Sequence, residues 1–256
     1  MEPGREGMIP VADALAALRD FPEVDLGEIV RSGLVVIAPH PDDESLGCGG
    51  LIAACRTAEL PVRIVVVSDG AGSHPDSLEF PPERLAAVRR DELLAAAACL
   101  GVEEADVQFL DLPDRLVPSR GADADLACEA IVRICEDADA VAVTWRHDPH
   151  HDHQASFALA ARAMESLPDA TLWEYPIWGL TLPGETLIEG PAPEGVKLRV
   201  DAHLDAKRRA IKAHASQTTG LIADDPKGFR LTEEMIARFD GPFEVLIRAA
   251  PSRAAT

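Results

Sequence analysis

Histidine and aspartate side chains are concentrated in two short segments of this 256-residue chain. The first, residues 38–44, reads APHPDDE and contains His40, Asp42 and Asp43. The second, residues 145–153, reads WRHDPHHDH and contains four of the eight histidines. Imidazole and carboxylate groups bind divalent metals, and they also move protons near neutral pH. The two segments are therefore the candidates for a metal-dependent reaction.

The spacing within each segment suits a single ion. His40 and Asp43 are three residues apart in a predicted tight loop, and His150 and His153 have the same spacing at the start of a predicted helix. A catalytic zinc site usually has three protein ligands and one open position. A set of two histidines and one carboxylate also fits non-haem Fe(II). The remaining carboxylates and imidazoles would supply a general base and a group that stabilises developing charge.

Each segment also has an ordinary structural interpretation. The first would be an acidic turn that caps the next helix, and the second a surface loop with adventitious metal affinity. The two segments together, each directly after a predicted strand, favour a functional site. The glycines at 47, 49 and 50 do not indicate a dinucleotide loop. GxGG lacks the GxGxxG spacing, and three carboxylates upstream would repel a pyrophosphate.

The elements that would position these residues alternate along the chain. Continuous apolar, β-branched runs predict buried parallel strands, at 34–38, 62–68, 107–110 and 139–144. Helices are predicted at 10–20, 51–59, 81–100, 123–137 and 153–166, and a loop at 39–50. This alternation predicts an α/β fold with a doubly wound, mostly parallel sheet and helices on both faces.

The expected organisation is a single domain over 1–256. It has a core at about 30–170 and a smaller C-terminal α+β part at about 171–250, with a helix at about 203–216 and a strand at 243–248. In open α/β sheets, ligands bind beyond the carboxyl ends of the strands. Both histidine segments follow strands directly, so they are predicted to lie on the same rim.

The charge balance restricts the class of partner. The chain has 44 Asp plus Glu against 24 Lys plus Arg, a net charge of −20. This argues against nucleic-acid binding and against docking on anionic membranes. The acidic balance favours a neutral or amino-sugar substrate over a highly anionic one. However, 20 of the 24 basic residues are Arg, and Arg suits local anion clamps.

The cysteines and the N-terminus indicate a reducing compartment. The five cysteines are odd in number and lack CxxC spacing, so they are predicted to be small buried thiols in helices. The N-terminus lacks the pattern of a signal peptide, and no apolar run approaches the ~18 residues of a membrane span. We expect a soluble, cytoplasmic protein and leave homo-oligomerisation open.

With these motifs the chain resembles the LmbE-like, PIG-L-type family of zinc-dependent N-acetylglucosaminyl deacetylases. The match rests on APHPDDE at 38–44 and on HHDH at 150–153, where the family usually has His-Pro-Asp-His and this chain has His151 in place of the proline. The resemblance implies a Rossmann-like fold with a C-terminal part that shapes the pocket. Weaker matches involve Arg89 with Glu92 and, near the C-terminus, Lys207, His214, Ser216 and Gln217.

The resemblance implies hydrolysis of an N-acyl group, most often N-acetyl, from an amino sugar or glycoconjugate by a metal-activated water. By matching positions, His40, Asp43 and His153 would bind Zn²⁺, with Fe²⁺ or another divalent ion as alternatives. Asp42 would be the general base. His150 would lie near the tetrahedral intermediate and, as an imidazolium, hold the oxyanion. Some members place a tyrosine near the second motif to polarise the carbonyl, and this chain has none there.

Four further residues have alternative assignments. Asp152 either orients and charges the His150 ring or caps the following helix. Arg89 and Glu92 share the apolar face of a helix, which favours a buried ion pair over contact with the pocket. Arg89 and His214 are nevertheless the candidate substrate-binding residues, although an isolated C-terminal histidine is more often structural.

The C-terminal aromatic residues have two possible uses. Trp173, Tyr175 and Trp178 are predicted to pack in the core rather than to form a sugar-stacking wall.

Two other functions stay open besides the deacetylase. One is an amidase of the same fold that acts on a thiol-conjugate or peptide-like amide, and the other is a metal-binding protein without turnover.

Overall fold

A computed structural model describes residues 7–249 of the chain. Its strands are β1 (Met8–Pro10), β2 (Glu23–Val24), β3 (Leu34–Ala38), β4 (Val62–Ser68), β5 (Val107–Leu112), β6 (Ala140–Thr144), β7 (Thr171–Tyr175), β8 (Leu187–Glu189), β9 (Gly195–Arg199) and β10 (Phe243–Arg248). Its helices are α1 (Val11–Asp20), α2 (Leu26–Ile29), α3 (Asp43–Thr57), α4 (Pro82–Cys99), α5 (Ala122–Cys135), α6 (His151–Met164), α7 (Leu204–Ala213), α8 (Ala215–Thr218) and α9 (Glu233–Ala237). Within these residues, no helix is long and apolar enough to cross a bilayer.

Eight strands form one sheet in the order β2-β9-β10-β7-β6-β3-β4-β5. Strands β3 to β7 pair in parallel, whereas β10 runs antiparallel to both β7 and β9. The predicted fold class is confirmed, and the C-terminal strands β9 and β10 extend the same sheet. Strand β3 pairs with β4 on one side and with β6 on the other. Because the strand order reverses there, the loops after β3 and β6 open onto a crevice.

The central strands are buried on both faces, as their continuous apolar sequences predict. In β3, Leu34 and Val36 belong to the core on one face, and Val35 and Ile37 to the core on the other. The first core includes side chains of α3, α4 and α7, and the second includes side chains of α5 and α6. The sheet is thus covered by helices on both sides, which holds the ends of β3 and β6 rigidly.

Residues 39–50, predicted to form a loop, contain the start of a helix. Helix α3 begins at Asp43 and continues through the three glycines. Their low helix propensity is outweighed by close packing. A Cβ on Gly47 would lie 2.2 Å from Tyr175 Cδ2, and one on Gly50 would lie 2.5 Å from Val200 Cβ. Glycine therefore lets α3 approach the sheet and the C-terminal segment closely.

Smaller differences also affect the site. Helix α6 begins at His151, two residues earlier than predicted, so His153 lies in its first turn. The helix predicted at about 203–216 ends at Ala213, and His214 separates it from the short α8. The five cysteines are free and helical as predicted, and four are buried while Cys99 is half-buried.

Asp139, at the amino end of β6, gives a prediction for stability. Its carboxylate accepts hydrogen bonds from the backbone N–H groups of Arg31, Ser32 and Gly33 at 3.0, 2.8 and 3.0 Å. Burial acts to raise the pKa of Asp139, but these bonds hold it well below its usual value. We expect Asp139→Asn to lower the free energy of unfolding at pH 7 by about 1–3 kcal/mol, measured by urea denaturation.

The pH dependence of this effect follows from the sign of the shift. A carboxyl group with a depressed folded-state pKa stabilises the fold above its unfolded pKa, about 3.9, and loses that contribution as pH falls towards the folded value. The difference between wild type and Asp139→Asn should therefore shrink below about pH 4. Asp137→Asn is the matched control, since the Asp137 side chain is 86% exposed. A constant difference across this pH range would contradict the prediction.

Candidate metal centre and cavity

Three side chains place donor atoms at the corners of a nearly equilateral triangle. His40 Nδ1, Asp43 Oδ2 and His153 Nε2 are each 3.2 Å from the other two. Four ligands at the usual zinc distances of about 2.0–2.1 Å are separated by about 3.3 Å in a tetrahedron. The triangle therefore fits one face of a tetrahedral metal site with its fourth position open. His40, Asp43 and His153 are all buried, and the first two line a cavity.

The local structure explains why these atoms converge. His40 follows β3, Asp43 is the first residue of α3, and His153 lies in the first turn of α6. The loops after β3 and β6 meet at the reversal of strand order, so residues far apart in sequence become neighbours. His150 and His153 also form a possible metal group with His40 by proximity. The described residues thus contain a buried His/Asp group that can bind a metal ion.

The outer nitrogen of each histidine faces carboxylates. His40 Nε2 lies 3.1 Å from Asp152 Oδ2 and 3.2 Å from Asp114 Oδ1. His153 Nδ1 lies 3.3 Å from Asp148 Oδ1. A carboxylate at the outer nitrogen keeps the proton there and turns the lone pair of the inner nitrogen towards a metal.

The pKa shifts of the same residues agree with this arrangement. Burial acts to lower the pKa of His40 and His153, but the adjacent carboxylates raise it, for His153 to about 9. Burial acts to raise the pKa of Asp43, but the two histidines hold it below its usual value. Excess negative charge therefore surrounds the triangle, and a bound cation would take the place of the histidine protons.

Asp42 is held in an unusual conformation beside the triangle. Its φ of 146° is unfavourable for a residue with a side chain, and such strain is concentrated at functional sites. Its Oδ2 accepts a hydrogen bond from Arg89 Nη2 at 3.1 Å. Burial raises the pKa of Asp42 to about 6, against the opposing effect of Arg89. A carboxylate with this pKa can accept a proton near neutral pH.

His150 is the N-cap of α6, and its Nδ1 accepts a hydrogen bond from the backbone N–H of Asp152 at 3.2 Å. A ring nitrogen that accepts a hydrogen bond is unprotonated, so the other nitrogen, Nε2, carries the proton. Burial, followed by the charges of His40 and His153, lowers the pKa of His150. This corrects the imidazolium expected from the sequence, because the neutral ring is favoured. His150 lines the cavity.

The Asp152 side chain neither caps α6 nor hydrogen-bonds the His150 ring, although its charge acts to raise the pKa of that ring. The cap is His150, and the Asp152 carboxylate contacts His40 and accepts hydrogen bonds from the backbone of Arg115 at 2.6 Å and Val117 at 3.1 Å. Asp152 is fully buried and supports a ligand candidate rather than the His150 ring. Only its backbone N–H orients His150.

Arg89 and Glu92 do not form the predicted ion pair. Arg89 binds Asp42 together with the carbonyl oxygens of Pro41 and Gly70, and it lines the cavity. Glu92 instead accepts hydrogen bonds from the backbone and hydroxyl of Ser216 at 2.7 and 2.6 Å. The pocket interpretation, which the sequence disfavoured, is therefore the observed one for Arg89.

His214 lies behind the site. Its Nε2 is 3.1 Å from Glu44 Oε1 and 3.3 Å from Ser45 Oγ, and the residue is 1% exposed. It does not belong to the cavity wall, which corrects the prediction that His214 contacts a substrate. His214 instead fixes the first turn of α3.

The cavity has a volume of about 480 Å³. Two corners of the triangle, His40 and Asp43, line the cavity, and Trp178 and Phe229 form an aromatic pair in its wall with ring centroids 5.6 Å apart. Trp173 and Tyr175 are buried in the core as predicted, whereas Trp178 reaches the cavity. The Tyr175 hydroxyl donates to the Ile37 carbonyl at 2.8 Å and is not available to polarise a substrate carbonyl.

Sequence reasoning missed Asp114, Arg115 and Asp148. Asp114 and Arg115 follow β5, so the rule that parallel strands end on one rim would have found them. Asp148 lies inside the second histidine segment, and its residue type and spacing alone do not show that it faces His153. The remaining cavity residues are Gly72, Ser73, Pro75, Gln217 and Lys227.

Asp148 leads to a prediction about metal affinity. Its Oδ2 accepts hydrogen bonds from the backbone of Trp178 at 2.7 Å and Gly179 at 3.1 Å, while Oδ1 faces His153. We expect Asp148→Asn to weaken zinc binding by about 10–100-fold, because outer carboxylates orient metal-binding histidines. Competition with a chromophoric chelator measures the affinity. Asp169→Asn on the surface is the control, and equal affinities for both variants would contradict the prediction.

The fold and donor set define a Rossmann-like α/β protein with a candidate metal centre at the reversal of its strand order. The family model PIG-L, described as GlcNAc-PI de-N-acetylase, matches residues 35–164. Since this match spans half of the chain, the protein belongs to the PIG-L family of deacetylases. The predicted family is confirmed.

Individual relatives agree with the family match. The chain is 27% identical to the probable N-acetyl-alpha-D-glucosaminyl L-malate deacetylase 2 of Bacillus subtilis (strain 168) over 213 residues, which are 81% of this chain and 93% of that protein. It is 27% identical to the 1D-myo-inositol 2-acetamido-2-deoxy-alpha-D-glucopyranoside deacetylase of Mycolicibacterium smegmatis over 250 residues, 79% of this chain and 85% of that protein. The solved N,N'-diacetylchitobiose deacetylase of Pyrococcus horikoshii shares the fold, with a TM-score of 0.66, 20% identity and coverage of 98% and 94%.

Proposed function

We propose that this protein is a zinc-dependent hydrolase that removes an N-acetyl group from an amino-sugar conjugate. The observation that carries the proposal is the triangle of His40, Asp43 and His153, two corners of which line a cavity together with Asp42 and His150. Family membership and the relatives' names support the substrate class. Zn²⁺ is favoured by a compact set of two histidines and one carboxylate, and Fe²⁺ is the alternative.

His40, Asp43 and His153 would hold the ion. A divalent ion bound there would supply Lewis-acid polarisation of the acyl carbonyl and make a water molecule more acidic. The overall reaction converts R–NH–CO–CH₃ and water into R–NH₃⁺ and acetate. The chain's own side chains must therefore accept a proton from water, stabilise negative charge on the carbonyl oxygen and protonate the departing amine.

Asp42 is proposed as the general base. It neighbours Asp43 in sequence and lines the cavity. Burial raises its pKa to about 6, so its carboxylate can accept a proton near neutral pH. Arg89 holds its carboxylate in place through the 3.1 Å hydrogen bond. The proton that Asp42 accepts can then be delivered to the amine nitrogen as the C–N bond breaks.

His150 is proposed to stabilise the oxyanion. Its Nδ1 is occupied by the Asp152 N–H, so Nε2–H is a fixed donor for negative charge that develops on the carbonyl oxygen. This takes over the polarising role that a tyrosine would have. Asp152 and Asp114 are proposed as positioning residues for His40 rather than as groups that contact the substrate.

The test uses protein freed of metal with a chelator and then reloaded with Zn²⁺ or, without oxygen, with Fe²⁺. Release of free amine and acetate is measured on a panel of N-acetylglucosaminides and on S-conjugate amides. We expect turnover of the glucosaminides to return in proportion to bound metal, at one ion per chain. Full activity after metal removal would overturn the proposed mechanism. Turnover of the S-conjugate amides alone would overturn the proposed substrate.

A further inference from the structure

Asp42 occupies the N-cap of α3 but does not use its carboxylate as a cap. An aspartate at this position normally accepts a hydrogen bond from a backbone N–H group in the first turn of the helix. Here the carboxylate instead binds Arg89 and the residue lines the cavity, while the backbone takes a φ of 146°. This conformation is unfavourable for a residue with a Cβ, so contacts elsewhere must hold it.

Glu44 supplies one such contact. Its Oε2 accepts a hydrogen bond from the backbone N–H of Asp42 at 3.0 Å, and its Oε1 accepts one from the Ser45 hydroxyl at 2.6 Å. The bond to the N-cap N–H resembles the backward half of a capping box, made by the second helical residue instead of the third. Glu44 is fully buried, so its carboxylate needs strong donors to offset the loss of water.

His214 is a third donor to Glu44. Its Nε2 lies 3.1 Å from Glu44 Oε1, and both side chains are buried. Burial acts to lower the pKa of His214, but Glu44 raises it above its usual value, so an imidazolium beside a carboxylate is favoured. The Glu44 carboxylate is thereby held between the His214 ring on one side and the backbone N–H of Asp42 on the other.

The C-terminal part of the chain brings His214 to this position. Helix α7 packs closely against α3, where a Cβ on Gly49 would lie 2.9 Å from Lys207 Cγ. His214 follows α7 directly, and its backbone carbonyl accepts hydrogen bonds from the N–H groups of Gln217 and Thr218 at 3.0 and 2.9 Å. The junction of α7 and α8 therefore fixes the backbone from which the imidazole extends towards the first turn of α3.

We propose that His214 and Glu44 are a positioning pair for the general base, which holds the Asp42 backbone in its strained conformation and so keeps the Asp42 carboxylate in the cavity. This inference rests on the proposed function, in which Asp42 accepts a proton from water. Neither His214 nor Glu44 lines the cavity, so both act through Asp42. Without the pair, the Asp42 backbone would relax and its carboxylate would turn to cap α3. A displacement of about 1 Å costs a reacting group on the order of 100-fold in rate.

The test compares two replacements of His214. His214→Leu fills similar space without a donor, whereas the amide nitrogen of His214→Gln can take the place of Nε2. We expect His214→Leu to lower kcat by about 10–100-fold with KM and zinc content unchanged, and His214→Gln to stay within about three-fold of wild type. His203→Gln, in the turn before α7 and outside this network, is the matched control and should keep wild-type kcat.

Combination with Asp42→Asn separates positioning from a general loss of stability. In that background His214→Leu should change kcat by less than about two-fold, because the carboxylate that it positions is already absent. A purely structural role would instead give the same loss in both backgrounds. Should His214→Leu fail to fold by circular dichroism, Glu44→Asp is the second variant, since it keeps the charge on a side chain one methylene shorter. The same expectations apply to it.

Crystal structures of the metal-free variants distinguish the inference from the proposed function, because they need no turnover. We expect the Asp42 φ to stay near 146° in wild type and His214→Gln, and to relax in His214→Leu. Wild-type kcat in His214→Leu, an equal further loss in the Asp42→Asn background or an unchanged Asp42 backbone would each overturn the positioning pair. Absence of turnover by wild type, together with the expected backbone change, would overturn the proposed function alone.

Discussion

Replacement of Asp42 by Asn is expected to lower kcat by about 10²–10⁴-fold, the usual contribution of a general base. The zinc content should stay at one ion per chain, because Asp42 is not a corner of the donor triangle. The Asn amide oxygen can still accept the hydrogen bond from Arg89, so the loop keeps its shape. Time-course assays of acetate release measure kcat, and metal analysis of the same preparation measures the zinc content.

The pH profile gives Asp42 a second test. The acid limb of kcat/KM should lie no higher than about pH 6, because burial raises the pKa of Asp42 to about 6 and a bound cation would pull it down. Activity should therefore rise with pH through this limb, as the carboxylate becomes deprotonated. Asp123→Asn, on the exposed start of α5, should keep wild-type kcat and profile. Near-normal kcat in Asp42→Asn would remove Asp42 as the base.

Replacement of His153 is expected to have the second large effect, on metal retention. His153→Ala removes one corner of the triangle, and we expect zinc affinity to fall by at least about 100-fold, with activity reduced to background. The change also leaves Asp43 and Asp148 buried without their imidazole partner, which lowers stability.

A conservative variant separates metal loss from unfolding. His153→Gln keeps a polar group between the two carboxylates, so it should fold better than His153→Ala and still bind zinc poorly. His203→Ala, outside the metal centre and cavity, is the matched control for loss of a histidine and should retain zinc. Zinc affinity is measured by chelator competition, and thermal unfolding by circular dichroism. Wild-type zinc affinity in His153→Gln would show that the donor triangle is not the metal site.

The neighbourhood of the two histidine segments was predictable because it depends only on strand order. Residues 34–38 and 140–144 are continuous apolar runs, and their carboxyl ends share one rim in a parallel sheet. The side-chain partners were less predictable. Arg89 and Glu92 share a helix face, yet one reaches Asp42 and the other Ser216. Helix periodicity predicts which face of a helix a residue lies on. It does not predict which residue of another segment contacts that side chain.

The sequence by itself determined the fold class, the family and the residues from which the triangle is built. The hydrophobic period and the donor chemistry are local properties of the chain, so they can be recognised without a tertiary structure. Tertiary structure alone decided which ring nitrogen of His40 faces inward, because the outer carboxylates Asp114 and Asp152 belong to segments far from His40 in sequence. It also decided that Arg115 lines the cavity, which depends on a backbone contact with the distant Asp152, and that burial and the charge of His40 act to lower the pKa of His150.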